Sequence, residues 1–389
     1  MSSSLEIVQL EGWRGTSRFV EAAWRVHDQP ASSGWIPPLR IVVRDGLDRR
    51  GNPFYKQAER ALFIAKRDGR AVGRVAAIEN RRHNDHHDDR VGFFGFFDCR
   101  DDQEAASGLF ERAEGWLGDR GLTSVRGPVS PSMNHECGVL VEGFELPPVI
   151  MTPWNPSYYD SLIEGAGYLR AKDLLGYHLP AGDAVPDRVR RLAERKLQRS
   201  RLVFREWDFG AMKEMARDAF DLYCEAWDGN WGFVPPSWEE FWHLAKDLKS
   251  VLHPEFTFVA ELDGKNVGFI MIARDMNRVL RRIPSGRLWP LNIARLLFGL
   301  PKILSGRIIL LGIRPEYRNR GFFPLFALEI SRRAQQIGAE GAEASWILED
   351  NESLTAPLEG MDLEPYKRWR IYEKVLEEKV LEKVPGHSP

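Results

Sequence analysis

Residues 307–330 read Arg307-Ile-Ile-Leu-Leu-Gly-Ile-Arg-Pro-Glu-Tyr-Arg-Asn-Arg-Gly-Phe-Phe-Pro-Leu-Phe-Ala-Leu-Glu-Ile330. The nearly all-apolar run from Ile308 to Ile313 is bounded by charge and by proline, as is typical of a buried strand. After Pro315, apolar side chains recur at helical spacing, and charged side chains occupy the positions between them. The stretch therefore predicts a strand, a tight turn and a helix, and we expect the strand to bulge at Gly312.

The turn from Arg318 to Gly321 places basic side chains and a glycine at the N-terminal end of the predicted helix. Backbone N–H groups there have no partner within the helix, and the positive end of the helix dipole lies beside them. Such a site favours an anion, for example a pyrophosphate. The alternative is a basic turn that only begins a surface helix.

This turn resembles the acyl-CoA pyrophosphate loop of the GNAT superfamily of N-acyltransferases, in which the pattern Gln/Arg-x-x-Gly-x-Gly/Ala follows a bulged strand. Arg318 and Gly321 match the pattern, whereas Phe323 stands where the family has a small residue. The resemblance implies acyl-CoA as the donor, with an acyl carrier protein as the alternative. It also implies a set of donor-binding residues: Leu311, Gly312, Ile313, Arg318, Asn319, Arg320, Gly321, Phe322 and Asn351.

An internal repeat indicates the architecture. The stretch Phe63-Ile-Ala-Lys-Arg-Asp-Gly-Arg-Ala-Val-Gly-Arg-Val-Ala-Ala-Ile78 returns as Phe258-Val-Ala-Glu-Leu-Asp-Gly-Lys-Asn-Val-Gly-Phe-Ile-Met-Ile-Ala273. Each copy predicts a β-hairpin with an Asp-Gly turn, and an apolar strand and an amphipathic helix follow in both. Both copies resemble GNAT domains. The resemblance implies an α/β class with mixed α+β sheets, in which two tandem GNAT-like domains each form a twisted mixed β-sheet flanked by helices.

A linker rich in proline and glycine, residues 179–186, separates the two copies. We predict an N-terminal domain at 1–180, a basic linker helix at 181–201 and a C-terminal domain at 202–389. The first copy has four acids and no glycine between Asp98 and Glu104, where a pyrophosphate loop would lie. Because these acids would repel a polyanion, we expect the donor in the C-terminal domain, and a supporting or acceptor-binding role for the other.

Composition excludes several classes of protein. The chain has 54 Lys and Arg against 56 Asp and Glu, so overall charge does not favour nucleic acid. Its three cysteines are far apart and form no Cys-x-x-Cys pair, which argues against a disulfide framework and a zinc site. We expect no bound metal, and we interpret the cluster from His83 to Asp89 as a polar loop. Neither a signal peptide nor a bilayer-spanning run is present, which favours the cytoplasm.

A basic and apolar insert precedes the strand predicted from Ile308 to Ile313. Residues 277–314 contain no acid, and their arginines alternate with apolar side chains around Trp289. Within the insert, 277–306, such a pattern is typical of a helix that lies on an anionic membrane surface, here the inner membrane. The alternative is a helix that packs on the protein with its arginines pointing outward.

Several side chains are candidates for the acceptor site. The loop from Ser130 to Gly138 contains acid/base groups after a predicted strand, so Asn134 and Glu136 could contact substrate, although a structural turn is the alternative. Trp227 and Trp231 could line a pocket for an apolar chain, and an aromatic core is the simpler interpretation. We also assign Trp289, in the insert, to substrate binding.

The reaction that the resemblance implies is transfer of an acyl group from a thioester to a primary amine, without a covalent enzyme intermediate. A carboxylate must deprotonate the ammonium; we predict Glu349, with Asp350 and Glu136 as alternates. Tyr366 or Tyr372 could return a proton to the thiolate. Among tandem GNAT proteins, the sphingoid-base N-acyltransferases resemble this chain most, which implies a long-chain lipid amine as acceptor. The alternatives are a peptide, cell-wall or soluble amine, and a non-catalytic module that binds lipid or CoA.

Overall fold

The structure of the protein is a computed structural model, and it describes residues 4–180 and 185–377. In the N-terminal half the strands are β1 (Leu5–Leu10), β2 (Ala58–Arg67), β3 (Arg70–Asn80), β4 (Val91–Cys99), β5 (Ser124–Gly127), β6 (Val129–Ser130), β7 (Glu136–Cys137), β8 (Val139–Glu142) and β9 (Leu169–Pro180). The helices of this half are α1 (Gly12–Val26), α2 (Arg40–Asp45), α3 (Arg81–His87), α4 (Gln103–Gly118) and α5 (Tyr159–Gly165).

In the C-terminal half the strands are β10 (Leu202–Glu206), β11 (Leu252–Leu262), β12 (Lys265–Arg274), β13 (Ser305–Ile313), β14 (Gly341–Leu348) and β15 (Pro365–Val375). The helices are α6 (Asp187–Arg199), α7 (Met212–Trp227), α8 (Trp238–Leu248), α9 (Asn277–Leu280), α10 (Pro290–Gly299), α11 (Phe323–Ile337) and α12 (Glu352–Glu359). Residues 181–184 of the predicted linker and 378–389 of the predicted C-terminal domain lie outside the described residues.

The repeat seen in the sequence is a repeat of structure. Hairpins β2–β3 and β11–β12 turn at Asp68-Gly69 and Asp263-Gly264, and all four turn residues have positive φ, as a two-residue hairpin turn requires. In each half an antiparallel strand, a helix and a parallel strand follow: β4, α4 and β5 in the first, and β13, α11 and β14 in the second. The predicted α/β class, with two tandem units in mixed sheet flanked by helices, is confirmed.

The two halves share one mixed sheet of 13 strands because they exchange their last strands. Strand β9 of the N-terminal half pairs with β14, and β15 of the C-terminal half pairs with β5. The exchanged strands also pair with each other along most of their length. The continuous sheet crosses the domain boundaries predicted from the sequence, and those boundaries stay predictions.

Two sequence predictions about local structure were wrong. The bulge in β13 lies at Ile309, because Leu310 pairs with Met271 and Ile308 pairs with Ile272. Gly312 pairs in register with Phe269. A glycine is needed there because a Cβ would lie only 2.8–3.0 Å from three neighbouring side chains. The segment around His83 is helix α3 and not a loop, and the Asn80 side chain caps it by accepting from the His83 N–H.

Candidate active site

Strands β13 and β14 open into a cleft halfway along their length. They pair in parallel from Ser305 opposite Gly341 to Ile308 opposite Ala344, and the pairing ends there. Within the described chain, the β14-facing edge of β13 therefore has no strand partner from Ile309 onward. A cavity of about 350 Å³ occupies this cleft, and side chains from both faces of the sheet line it. The free strand edge can hydrogen-bond an extended ligand, as a further strand would.

The predicted donor turn lies at the mouth of this cleft. Residues Pro315–Arg320 form a 3-10 turn that ends at Gly321, whose φ of +68° suits a glycine. The Arg318 guanidinium donates to the carbonyl oxygens of Ile313 and Ala226, so this side chain holds the turn against the end of α7. Helix α11 begins at Phe323. Pro324 has no N–H, and the Leu325 and Phe326 N–H groups donate to the Phe322 carbonyl oxygen, so Phe323 is the residue of α11 that offers a free N–H at this end in the described structure. Together with the basic side chains of the turn, this end of the helix stays the predicted diphosphate site.

Some of the residues assigned to the donor line the cavity, and others lie beside it. Leu311, Ile313, Arg318 and Asn351 line the cavity, as does Phe323. Gly312 and Phe322 are buried beside it, and Arg320 is exposed on the turn. Of Asn319 only the backbone is described. Lys196 of the basic helix α6 donates to the Arg320 carbonyl oxygen, which adds a cation to the turn.

The corresponding cleft of the N-terminal half is filled by its own chain. Strands β4 and β5 pair at only three positions, and the Phe96 N–H then donates to the Ser130 hydroxyl at 2.9 Å. A Cβ on Gly95 would lie 1.6 Å from the Val129 carbonyl oxygen, so the backbone is packed tightly there. The N-terminus of α4 is capped by Asp102, which accepts from the Ala105 N–H and pairs with Arg67. Between β4 and β5, the described residues therefore leave no cleft like the one between β13 and β14.

Aromatic side chains form one wall of the cavity in the C-terminal half. Tyr223, Trp227, Trp231 and Phe233 line it, with ring centroids of Tyr223 and Trp227 4.7 Å apart. Asn134, from the N-terminal half, faces the same wall: its amide donates to the Val234 carbonyl oxygen, and its oxygen accepts from the Tyr223 hydroxyl. These contacts join the two halves around an apolar space. The insert residue Trp289 does not line the cavity and is 59% exposed.

Glu136 is on the short strand β7 between His135 and Cys137, which line the cavity, although its own side chain is not among the lining side chains. The residue is exposed, and desolvation by the protein around it raises the pKa of its carboxyl. The Arg307 guanidinium opposes this shift. Arg307 is buried and donates to carbonyl oxygens of Met151 and Ser345, which fixes it at the junction of the two halves. A carboxylate with a raised pKa and a path to solvent is suited to accept a proton.

The other two carboxylates predicted as bases are bound elsewhere. Glu349 pairs with Arg170 and accepts from the Asp173 N–H at 3.1 Å. Asp350 accepts from Lys172 at 2.8 Å, and this hydrogen bond lowers the pKa of its carboxyl. Among the described residues around the cavity, Leu348 and Asn351 line it but the two carboxylates between them do not. Both carboxylates therefore form ion pairs with basic side chains of strand β9.

The two predicted tyrosine acids are also engaged. Tyr366 donates to the buried Glu343, and burial with that carboxylate raises the pKa of the phenol. Tyr372 pairs opposite Gly127 in the N-terminal half and donates to Asp160. Neither lines the cavity in the described structure. The tyrosine that does so, Tyr223, was missed by sequence reasoning because no motif marks it. Its position four residues before Trp227, one helical turn from the aromatic segment 227–242, was the available signal.

Cys137 and His135 line the cavity but do not form a nucleophile pair. Burial raises the pKa of the Cys137 thiol to about 12, so it stays protonated. His135 bonds to the Ser132 hydroxyl at 2.8 Å, and burial lowers the pKa of its ring to about 4. The two residues are therefore a neutral part of the wall.

The insert before β13 presents an apolar surface. The exposed residues are Leu288, Trp289, Leu291, Ile293, Leu297 and Phe298, which we call the α10 surface. Exposed basic residues accompany it: Arg281, Arg282, Arg287, Arg295 and Lys302. Two basic residues that follow the insert, Arg307 and Arg314, are not part of this surface. Arg307 is buried, and Arg314 pairs with Glu225. No helix of the described chain is long and apolar enough to cross a membrane.

Solved structures share the whole architecture. A tandem GNAT protein from the clavulanic acid biosynthesis pathway superposes with a TM-score of 0.59 at 14% identity, covering 96% of this chain and 98% of that one. A GCN5-related N-acetyltransferase from Sphaerobacter thermophilus has a TM-score of 0.51 at 14% identity, covering 95% of each chain. The fold is therefore that of tandem GNAT proteins.

Two curated relatives are closer in sequence. The bacterial ceramide synthase of Caulobacter vibrioides is 32% identical over 96% of this chain and 98% of its own length. Protein YghO of Escherichia coli K12 is 32% identical over 89% of each. No family model matches the chain. The chain belongs to the family of the bacterial ceramide synthase, and it is an N-acyltransferase.

Proposed function

We propose that the protein transfers an acyl group from acyl-CoA to a long-chain lipid amine, with a sphingoid base as the natural acceptor. The observation that carries this proposal is the cavity in the open cleft of the C-terminal half, which joins the turn predicted to bind a diphosphate to an apolar, aromatic wall. An acetyl donor and a small amine would not need so much apolar surface. The name of the Caulobacter relative supports the same acceptor class.

In this proposal the Glu136 carboxylate takes the proton from the acceptor ammonium, since it combines access to solvent with a raised pKa. The free amine then attacks the thioester carbonyl carbon directly. N–H groups on the free edge of β13 near Ile309 stabilise the developing oxyanion. Tyr223 returns a proton to the departing thiolate; burial raises the pKa of this phenol, so it is protonated at neutral pH. The roles first assigned to Glu349, Asp350, Tyr366 and Tyr372 stay predictions without a supporting contact.

The reaction is tested with purified protein, a sphingoid base, short soluble amines and a peptide amine, each combined with acetyl-CoA, palmitoyl-CoA or an acyl carrier protein thioester. We expect an N-acyl sphingoid base by mass spectrometry, with thiol release that depends on the added amine. Acylation of the short amines alone would overturn the lipid acceptor. Thiol release without amide formation would overturn the transferase assignment for this donor set.

We further propose that the α10 surface binds the cytoplasmic face of an anionic membrane, from which the lipid amine is taken. Apolar side chains there are exposed beside five basic ones, which is the combination that anionic lipids attract. Helix α2 adds Ile41 and Val42, each 58% exposed, and its Arg40 donates to the Ser285 carbonyl oxygen of the insert. Elements from both halves thus contribute to one surface.

Vesicle sedimentation tests this surface. We expect the protein to bind vesicles that contain anionic lipid, and to be released as salt screens the basic side chains. The double variant Leu297→Ser with Phe298→Ser should bind at least about tenfold more weakly, because each burial of such a side chain contributes about 1.5–3 kcal/mol. Leu169→Ser, at a residue 75% exposed on β9, is the matched control and should bind normally. Equal binding to neutral vesicles would contradict the electrostatic part.

A further inference from the structure

The cavity extends onto the α11 side of the sheet, away from the aromatic wall. Ala327, Ile330 and Ala334 of α11 line this part, and Ala344 of β14 faces them in the same apolar core. The aromatic wall belongs to a different core, formed with α7 and α8. The part under α11 is therefore a separate branch of the cavity, which we call the α11 channel. Ala327, Ala334 and Ala344 are the small apolar side chains of its wall.

Two polar side chains lie at the end of the α11 channel. Arg274 is the last residue of β12, and it pairs opposite Gly306 at the beginning of β13. His253, on the neighbouring strand β11, is 7% exposed and packs on Phe256 of the same core. The donor turn follows the opposite end of β13. At the usual rise per residue, roughly 25 Å separates the two ends of β13.

The polar atoms at this end are poorly satisfied. In the described structure, His253 Nδ1 and Arg274 Nε are buried without a hydrogen-bond partner. Burial and the nearby Arg274 charge lower the pKa of the His253 ring to about 4, so the ring is neutral at physiological pH. The remainder of the channel wall under α11 is mostly apolar. The channel therefore changes from apolar to polar at one defined depth.

We infer that the α11 channel holds the acyl chain of the donor, and that His253 and Arg274 limit the chain length the enzyme accepts. This inference rests on the proposed function. Each methylene gains free energy while it enters the apolar part. A terminal methyl group that reached the ring and the guanidinium would deepen their desolvation and offer no hydrogen bond in return. The acceptor chain would then lie along the aromatic wall, on the other face of the sheet.

The first test blocks the channel. Ala334→Phe, in the channel wall, should lower kcat/KM for palmitoyl-CoA by at least about tenfold relative to acetyl-CoA, since several methylenes lose their burial. Gln336→Phe adds the same side chain on the exposed face of α11 and is the matched control. Titration of the two variants with palmitoyl-CoA alone, without acceptor, should show the same loss of binding for Ala334→Phe only.

The second test changes the end of the channel. His253→Leu should raise kcat/KM for the first acyl-CoA longer than the wild-type optimum by about tenfold, because one desolvated polar group is removed. His253→Gln keeps a polar group and should retain the wild-type chain-length profile. Chain lengths from acetyl to stearoyl are compared with one acceptor, and acceptor chain lengths are varied with one donor.

The outcomes separate this inference from the proposed function. If wild-type protein forms no N-acyl lipid, the proposed function is wrong, and the inference about chain length is wrong with it. If it forms the product but Ala334→Phe and Gln336→Phe have the same donor profile, the channel assignment is wrong. A shift in the acceptor profile instead of the donor profile would place the acceptor chain under α11, which also overturns the inference.

Discussion

Replacing Glu136 by Gln is expected to lower kcat by about 10²–10⁴ with little change in stability, because the loss of a general base has this effect. In the described structure the carboxylate forms no hydrogen bond or ion pair that would fix it, and its chain neighbours line the cavity. The amide of glutamine keeps the size of the side chain and cannot take a proton. Its free, solvent-accessible position distinguishes it from the other candidate bases. Steady-state kinetics with a sphingoid base and palmitoyl-CoA measure the effect.

Glu349→Gln and Asp350→Asn are the controls for that experiment. Their carboxylates pair with Arg170 and Lys172 outside the cavity, so we expect turnover within a fewfold of wild type. A large loss in Glu349→Gln together with normal turnover in Glu136→Gln would show that Glu349, directly after β14, is the base, as the sequence first suggested.

The pH dependence gives an independent check on Glu136. A base is active when deprotonated, so kcat/KM should fall as pH decreases through its pKa. Because burial raises this pKa above 4.5, the acid limb should lie at a higher pH than for an ordinary glutamate. In Glu136→Gln the residual activity should lack this limb. An unchanged acid limb in the variant would assign it to another group.

Replacing Lys367 by Met is expected to lower the free energy of unfolding by about 3–5 kcal/mol, the usual cost of removing one partner from a buried ion pair. Lys367 Nζ lies 3.0 Å from Glu343 Oε2, and the two side chains are 2% and 1% exposed. The same ammonium donates to the Pro147 carbonyl oxygen at 2.8 Å. It therefore connects the exchanged strand β15 to β14 and to the N-terminal half, and its loss leaves a buried carboxylate.

Urea denaturation of wild type and variant measures this change. Lys172→Met is the matched control, because its partner Asp350 is 59% exposed and such a pair contributes only about 0–1 kcal/mol. A change below about 1 kcal/mol in Lys367→Met would show that Arg307 and the neighbouring hydroxyls suffice to hold Glu343. If the two halves unfold in separate steps, the exchanged strands do not couple them as we infer.

The amino-acid sequence by itself determined the fold class. Strand and helix periodicity depend only on neighbouring residues, and two copies of one hairpin, strand and helix gave the tandem architecture before any contact was known. The strand, turn and helix around Gly321 were equally local, since basic residues and a glycine between a strand and a helix identify the turn, and its role in donor binding stays a prediction. The acids after β4 predicted that the first copy has no such turn, and in the structure one of them, Asp102, caps helix α4 and pairs with Arg67.

The tertiary structure alone decided how the halves join and which side chains meet. Strand exchange between β9 and β15 leaves no local pattern, because pairing partners are selected by packing across the whole sheet. Glu136 and Arg307 come from different halves, so their interaction was invisible in the sequence, and Glu349 looked available because its partner Arg170 lies on the exchanged strand β9. The bulge at Ile309 was missed for a related reason: cross-strand register determines a bulge, whereas Gly312 is small because aromatic neighbours pack against it.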